Sequence, residues 1–143
     1  MSMCHACIGS KMRLVGTPDI DARVIAIEKI TAGEALLQFS GNILAWDDIE
    51  YDSYEDRHCL CIAPGIYLGP SGGLDDYINH SCDPNCEVTS DLQLVALRDI
   101  VPDEEITYDY IAAEHGLDSD YEMVCTCGAL NCRAKIGTRR PER

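Results

Sequence analysis

Apolar residues in this chain fall into short runs that are separated by turn residues. The runs predict single strands over residues 23–27, 35–39 and 105–110, a hairpin over residues 58–68 and a strand pair over residues 87–88 and 92–97. Helical periodicity is weak and predicts short helices only within residues 46–57 and 112–123. In the first of these, Trp46, Ile49 and Tyr54 fall on or near one face. The pattern therefore predicts a mainly β protein.

Length and charge narrow the possible functions. A chain of 143 residues corresponds to one domain that can bury a core of its own. Its 25 acidic residues outnumber 11 basic ones, which gives a formal charge of −14. This charge argues against direct nucleic-acid binding, because the phosphate backbone requires a face of lysines and arginines. It favours a basic protein or peptide as partner, although acidity can also serve solubility alone.

The nine cysteines indicate metal binding or free thiols. The sequence has no apolar run of about 18 residues and no apolar signal-peptide region, so we expect neither a membrane span nor export. We expect an intracellular protein, cytoplasmic unless its biological setting places it in a nucleus or a host cell. Disulfide frameworks are uncommon in that compartment.

The most informative stretch is residues 79–86, Asn-His-Ser-Cys-Asp-Pro-Asn-Cys. Asp83 and Asn85 flank a proline and tolerate tight bends, so the chain turns sharply beside a histidine and a cysteine. Two later stretches add to it. Residues 105–110 read Glu-Ile-Thr-Tyr-Asp-Tyr, and residues 125–132 hold a Cys-x-Cys-x4-Cys run. In this order, the three motifs resemble the SET-domain family of protein-lysine methyltransferases.

The resemblance implies a fold and a domain division. SET domains are mainly β folds of small curved sheets with few short helices. Their C-terminal segment threads under a loop, here near Asn79, to form a pseudoknot. On this basis we expect an N-terminal arm over residues 1–18, a SET domain over residues 19–115 and a zinc-bearing post-SET segment over residues 116–143.

Three close cysteines, Cys125, Cys127 and Cys132, suit a structural zinc site, which is tetrahedral and takes a fourth ligand. From the residues alone, His80 or Cys86 can supply that ligand. The resemblance implies Cys82, the cysteine after Asn-His-Ser. Four thiolates around one dication leave two net negative charges, and we expect Arg133 and Lys135 to offset them.

The resemblance also implies a binding site for S-adenosylmethionine. Asn79 and His80 match the pair that holds the cofactor in the family. The family's Gly-x-Gly, which lies against the methionine part of the cofactor, aligns with residues 21–23, so Ala22 and Arg23 are the cofactor-binding candidates there. Both glycines are absent. Since glycine allows a backbone to come close to a ligand, their loss supports an alternative function, a catalytically weak or inactive module that binds basic peptides.

Methyl transfer to lysine requires a neutral amine, although free lysine has a pKa of about 10.4. Desolvation and a nearby sulfonium charge lower that pKa. By resemblance Tyr108 is the catalytic residue, and we assign its hydroxyl to positioning, because a phenol with a pKa of about 10 is a poor base at neutral pH. Tyr110 and Tyr54 are candidates for lining the lysine channel. In the family, residues near Tyr54 form a wall of that channel, and the acidic residues there suit a basic peptide.

The pair Cys4 and Cys7 has two interpretations. It is either half of a second zinc site, with Cys59 and Cys61, or two reduced thiols in a mobile arm. We favour the second, since the sequence does not require the distant pairs to meet.

Overall fold

The computed structural model describes residues 11–17, 21–50, 53–63, 65–113 and 122–137. Within these ranges the protein is mainly β, as predicted, with two short helices, α1 (Tyr54–His58) and α2 (Tyr110–Ala113). None of the helices in this part of the chain is long and apolar enough to cross a membrane. The strands in chain order are β1 (Met12–Val15), β2 (Arg23–Ala26), β3 (Ala35–Gln38), β4 (Ile43–Ala45), β5 (Leu60–Ala63), β6 (Ile66–Leu68), β7 (Asn79–His80), β8 (Cys86–Val88), β9 (Gln93–Ala96), β10 (Thr107–Tyr108), β11 (Glu122–Val124) and β12 (Lys135–Gly137).

The described strands form small sheets of two or three strands each. One antiparallel sheet has the order β3-β9-β8 and another the order β4-β6-β5, while β1 pairs with β2 and β11 with β12. The predicted hairpin is confirmed as β5 and β6. Gly65 supports its turn with a φ of +72°, which glycine adopts at little cost. The strands predicted at residues 23–27, 35–39, 87–88 and 92–97 are also confirmed, each to within two residues.

One apolar core joins most of these sheets. Its fully buried members come from several elements, so the sheets have to pack on one another to exclude water. Burying each side chain of this size stabilises the fold by about 1.5–3 kcal/mol relative to exposure. The largest of these fully buried aliphatic residues are Val24, Ile30, Leu94, Ile100 and Ile106.

The parallel pair of β7 and β10 positions the candidate site. Thr107 lies opposite Asn79 and Tyr108 opposite His80, and the pairing extends as Ser81 N donates to the Tyr108 carbonyl at 3.1 Å. The motif at residues 79–86 and the tyrosine motif therefore lie side by side, although the two residues of each pair are 28 positions apart in sequence. This contact is the one that the expected pseudoknot requires.

The predicted N-terminal arm contains a strand that the sequence pattern did not reveal, while the domain boundary itself stays a prediction. Met12–Val15 falls within the arm predicted over residues 1–18, yet it forms β1 and pairs with β2. Met12 is only 4% exposed and belongs to the core. A strand this short leaves little alternation to detect, so its burial depends on a partner strand that the local pattern does not reveal. Cys4 and Cys7, the other part of that prediction, lie outside the described residues.

The tyrosine strand is shorter than predicted. Instead of extending over residues 105–110, β10 ends at Tyr108, and Tyr110 begins α2. Asp109 causes the change, because its carbonyl accepts from Ala113 N at 3.1 Å and its side chain lies 3.5 Å from Ala112 N, as at a helix N-terminus. The helix predicted over residues 112–123 is wrong at its C-terminal end, where Met123 lies in β11.

The helix predicted over residues 46–57 is divided. A 3₁₀ turn covers Trp46–Asp48, and α1 begins only at Tyr54. Ile49 is 1% exposed and packs with Trp46 and Tyr67, whereas Tyr54 stacks on His58 with ring centroids 4.1 Å apart. Ile49 and Tyr54 therefore do not share one face as the pattern predicted.

Candidate metal centre and cofactor cavity

Four cysteine sulfurs converge at the C-terminal side of the fold. The Sγ atoms of Cys82, Cys125, Cys127 and Cys132 all lie within 4.8 Å of one another, and those of Cys82 and Cys125 are 3.8 Å apart. Zn–S bonds of about 2.3 Å in a tetrahedron place sulfurs about 3.8 Å apart, so this donor set fits a zinc ion. Gly128 adopts a φ of +79° and lets the chain turn back within the cluster. The predicted ligand set is thus brought together.

The two other candidates for the fourth ligand are placed differently. Cys86 is fully buried in the apolar core, and burial raises the pKa of its thiol to about 12. His80 points Nε2 at the Cys82 sulfur, 3.3 Å away. Its Nδ1 accepts a hydrogen bond from Tyr110 N at 3.1 Å, so a neutral ring carries its proton on Nε2 and donates it to the sulfur. Burial lowers the pKa of His80 and favours this neutral form.

The cluster receives hydrogen bonds that suit thiolates. Arg133 donates to the Cys82 sulfur from its backbone N at 3.4 Å and from Nε at 3.3 Å. Backbone N–H groups of Cys82 and Ala129 lower the pKa of the Cys127 thiol to about 6. With a bound zinc ion, these donors would partly compensate the negative charge of four thiolates, as outer groups do at metal sites. The prediction that Arg133 offsets this charge agrees with its position, while the side chain of Lys135 lies outside the described part of the chain.

A cavity of about 500 Å³ opens beside the cluster. It has the size of a small-molecule site. Its lining includes β7, the tyrosine motif and the cysteine run, represented by Asn79, His80, Glu105, Tyr110 and Cys127. The cavity thus lies where the three sequence motifs meet.

Asn79 presents an acceptor at this cavity. Its Nδ2 donates to the Ala22 carbonyl at 3.1 Å and to Glu105 Oε2 at 2.9 Å. With both amide hydrogens used, the side-chain oxygen can accept from a ligand. Ala22 itself does not line the cavity, but the bond with Asn79 ties the start of β2 to it. Arg23 does not line the cavity either, and its guanidinium lies 4.0 Å from the Asp21 carboxylate.

The two tyrosines occupy different environments. Tyr110 lines the cavity, and its hydroxyl donates to the Ile78 carbonyl at 2.6 Å. Burial, with a smaller effect of the Glu105 carboxylate, raises the pKa of Tyr110 well above its usual value, so the hydroxyl stays protonated. Tyr108 is 8% exposed and packs edge-on against Phe39 with ring centroids 5.6 Å apart. The rings of Tyr108 and Tyr110 are 4.9 Å apart and form one aromatic surface.

Tyr54 lies in a separate cluster that does not line this cavity. Its hydroxyl donates to Asp76 Oδ2 and contacts the Tyr77 hydroxyl, both at 2.9 Å. Asp76 also accepts from the backbone N–H groups of Ser71 and Gly72, at 2.9 and 2.8 Å. An acidic residue at position 76 therefore anchors α1 to the loop that precedes β7. The role of Tyr54 in a lysine channel stays a prediction.

Sequence reasoning did not single out three polar residues at the site. Glu105 begins the tyrosine motif and contacts Asn79, while Asp109 lies between the two tyrosines and pairs with Arg133; their place in that motif was the available signal. Asn85 is 2% exposed and joins the turn after β7 to β10, because its side chain bonds the Glu105 carbonyl and Thr107 N at 2.7 and 2.9 Å. Its position after a proline indicated only a turn.

The chain is similar to known methyltransferases. Residues 21–111 match the family described as "SET domain". Histone-lysine N-methyltransferase ASHH3 of Arabidopsis thaliana is 30% identical over 145 residues, which is 90% of this chain and 39% of that protein. Histone-lysine N-methyltransferase Set2 of Drosophila melanogaster is 33% identical over 124 residues, 76% of this chain and 5% of that protein. The chain thus spans less than half the length of these relatives.

Solved structures show the same fold. The crystal structure of KRYPTONITE with mCHH DNA, an H3(1-15) peptide and SAH aligns with a TM-score of 0.64 and 28% identity, covering 87% of this chain and 29% of that one. Arabidopsis thaliana SUVH6 in complex with SAM aligns with a TM-score of 0.68 at 22% identity, covering 87% of this chain and 32% of that one. At that identity the second likeness concerns the fold alone.

Proposed function

This chain belongs to the SET-domain family, and on that premise we propose that it is a protein-lysine N-methyltransferase dependent on S-adenosylmethionine. The observation that carries the proposal is the cavity bordered at once by Asn79 and His80, by Tyr110 and by the cysteine run. ASHH3 and Set2 are named histone-lysine N-methyltransferases, and the KRYPTONITE structure contains a histone peptide together with SAH. These names support the reaction class proposed for this chain.

We assign cofactor binding to Asn79, His80, Ala22 and Arg23. Bound S-adenosylmethionine supplies a methyl group on a sulfonium. Asn79 offers its side-chain oxygen at the cavity, while Ala22 contributes the carbonyl that fixes the Asn79 amide. Arg23 contributes only its backbone in this arrangement, because its side chain pairs with Asp21. Because the Asn79 side chain is already held in place, less conformational entropy is lost when a ligand binds to it.

The tyrosines position the reactants. Displacement at a methyl group requires the lysine nitrogen, the methyl and the leaving sulfur in line, so catalysis rests largely on orientation and on exclusion of water. We assign Tyr108 to positioning of the amine and Tyr110 to the wall of the lysine channel. Because the Tyr110 hydroxyl stays protonated and already donates to Ile78, it can orient a neighbour but does not remove a proton.

We propose that the four cysteines hold a structural zinc ion. All of its positions are then taken by sulfur, so it has no place for substrate. Cys82 lies directly after Ser81, and the other three ligands lie between residues 125 and 132. The ion would therefore hold the C-terminal segment against the turn that follows β7 and close one side of the cavity. The domain division at residues 115 and 116 remains a prediction.

A basic protein is the proposed substrate. The formal charge of −14 favours encounter with a lysine-rich segment, and the relatives are named for histones. The KRYPTONITE structure also holds DNA, but the alignment covers only 29% of that chain. For the present chain the acidic balance argues for protein rather than nucleic acid.

The second candidate is a binding module for basic peptides without transfer activity. The observation that favours it is the residue set Asp21, Ala22 and Arg23 in place of a Gly-x-Gly. Side chains at the first and third positions limit how closely a ligand can approach the start of β2. Peptide binding would use the same acidic surface.

The test is transfer of a labelled methyl group. Zinc-loaded protein is incubated with S-adenosylmethionine carrying a trideuterated methyl and with core histones, and lysines are mapped by mass spectrometry. The proposal expects the mass of one or more trideuteromethyl groups on lysine, and about tenfold less label with Asn79→Ala at a cofactor concentration below the dissociation constant. If the folded, zinc-loaded protein binds histone peptides but transfers no label, the enzyme proposal is wrong and the binding module is the better proposal.

A further inference from the structure

One side chain joins the cysteine cluster to the tyrosine motif. Arg133 Nε donates to the Cys82 sulfur at 3.3 Å, and its Nη2 lies 2.9 Å from Asp109 Oδ2. Asp109 stands between Tyr108 and Tyr110 in sequence and directly precedes α2, where its side chain lies 3.5 Å from Ala112 N. We propose that Arg133 is a positioning residue that couples metal binding at the cysteine cluster to the placement of the Tyr108–Asp109–Tyr110 segment. The proposal rests on the zinc site proposed above.

The planar guanidinium of Arg133 contacts both partners in a fixed geometry. It contacts a sulfur with one edge nitrogen and a carboxylate with another, so Cys82 and Asp109 fix its orientation from two sides. The backbone N of Arg133 also donates to the Cys82 sulfur, which holds the start of the side chain in place. A lysine ammonium cannot reproduce both contacts with the same geometry.

A second path connects the same sulfur to the same segment. His80 Nε2 lies 3.3 Å from the Cys82 sulfur, and Nδ1 accepts from Tyr110 N. Cys82 Sγ is thus bonded to residue 109 through Arg133 and to residue 110 through His80. A metal ion that fixes the position of this sulfur also fixes the two donors, and through them the start of α2. Binding linkage then requires that a change at Asp109 weakens metal binding, although Asp109 is not one of the four proposed ligands.

The first measurement is zinc release into a chromogenic chelator. Purified zinc-loaded wild type is compared with Arg133→Ala, Arg133→Lys, Asp109→Asn and the double variant Asp109→Asn/Arg133→Ala. We expect each to bind one zinc ion per chain. Release from Arg133→Ala should be about tenfold faster than from wild type, in the range found for outer groups at metal sites. Asp109→Asn should also release zinc faster, and the double variant should match Arg133→Ala because the two residues act as one unit.

A matched control is available in Arg98. It forms a comparable ion pair with Glu104, at 2.7 Å, and within the described ranges no hydrogen bond joins it to the four cysteines of the cluster. Arg98→Ala should release zinc at the wild-type rate, which separates the specific bridge from general loss of an arginine pair. Arg133→Lys keeps the charge and is the variant with least risk to folding. It should fall between wild type and Arg133→Ala.

The second measurement reads the tyrosine segment without using activity. Amide hydrogen exchange over residues 107–113 should rise when zinc is removed from wild type, and zinc-loaded Arg133→Ala should already show part of that rise. The coupling is wrong if Asp109→Asn releases zinc at the same rate as wild type, or if the two single substitutions have additive effects on the release rate in the double variant. If the wild-type protein binds no zinc, both the proposed metal centre and the proposed coupling are wrong. Neither readout needs methyl transfer, so loss of the proposed activity alone leaves this inference standing.

Discussion

Asn79 donates from Nδ2 to the backbone carbonyl of Ala22 at 3.1 Å and so joins β7 to the start of β2. Ala22 is the middle residue of the triplet that aligns with a Gly-x-Gly, and the bond joins its backbone to a residue that lines the cavity. The second amide hydrogen goes to Glu105 at 2.9 Å. The Asn79 side chain is therefore oriented by two acceptors before any ligand arrives.

Replacing Asn79 by alanine should weaken S-adenosylmethionine binding. The variant loses the acceptor at the cavity and the bond to Ala22, and a single hydrogen bond of this kind contributes about 1–2 kcal/mol, or roughly tenfold in affinity. Isothermal titration calorimetry on zinc-loaded protein measures the change. Asn42→Ala is the control, because Asn42 is an exposed asparagine that does not line the cavity. Equal affinity in wild type and Asn79→Ala would remove Asn79 from the cofactor site.

Replacing Cys127 by serine should release zinc and weaken cofactor binding together. The hydroxyl is a much poorer zinc ligand than a thiolate, and without the ion the segment that carries residues 125–132 loses its link to Cys82. Zinc content by atomic emission and calorimetric titration with S-adenosylmethionine measure both effects.

The control for the zinc ligand is Cys59→Ser. Cys59 is half-buried on another part of the fold and does not belong to the four-cysteine cluster. We expect this variant to keep its zinc. Unchanged zinc content in Cys127→Ser would show that the ligand set is different, whatever happens to cofactor affinity.

Much of the fold was predictable because its strands are bounded by local signals. Gly65 marks the turn of the β5–β6 hairpin, and apolar runs mark β2, β3 and β9. Such signals act within a few residues, so they locate strands but not their partners. Met12–Val15 illustrates the limit, since it is a strand only through pairing with β2.

In the candidate site, too, local features were predictable from the sequence and contacts between distant residues were not. Close spacing predicted that Cys125, Cys127 and Cys132 act together, whereas the inclusion of Cys82 came from family resemblance. The bonds of Asn79 to Glu105 and of Arg133 to Asp109 link residues 26 and 24 positions apart, respectively. Pairing of this kind depends on how β7 and β10 meet, which no local pattern encodes.

Glu104 should make the free energy of unfolding depend on pH in the acid range. Burial raises the pKa of its carboxyl, but hydrogen bonds from Asn85 and Arg98 outweigh burial and bring the pKa below its usual value. A carboxyl whose pKa is lower in the folded state stabilises the fold above its unfolded-state pKa, and that contribution is lost as the pH falls through the folded-state value. Glu104→Gln should therefore be less stable than wild type by about 1 kcal/mol at pH 7.

Urea unfolding of both proteins between neutral pH and about pH 3 tests this expectation, since the difference should begin to shrink as the pH falls below the ordinary glutamate pKa of about 4.3 and should be smallest at the lowest pH. The zinc site is common to both proteins, so its own acid sensitivity cancels in the comparison. Glu87→Gln, at an exposed position of β8, should not differ from wild type at either pH. A constant difference between wild type and Glu104→Gln at every pH would assign the effect to packing instead.

Phenylalanine substitutions separate the two tyrosines. Tyr108→Phe keeps the ring that packs on Phe39 and removes only the hydroxyl, so methyl transfer should fall while cofactor affinity stays within about twofold. Tyr110→Phe loses the 2.6 Å bond to the Ile78 carbonyl, directly before Asn79, and should reduce transfer as well. The two variants differ in one respect: only Tyr110 lines the cavity and holds the residue next to Asn79.

Single-turnover rates and calorimetric affinities for S-adenosylmethionine, measured on both variants, distinguish the roles. Because Tyr108 is assigned to the amine and Tyr110 to the channel wall, the larger loss of rate is expected in Tyr108→Phe. A larger loss in Tyr110→Phe at unchanged cofactor affinity would transfer the positioning role to Tyr110, which its contact with the cavity would then explain. Loss of affinity together with rate in Tyr108→Phe would mean that its hydroxyl serves the fold, since a group acting only on the amine leaves cofactor binding unchanged.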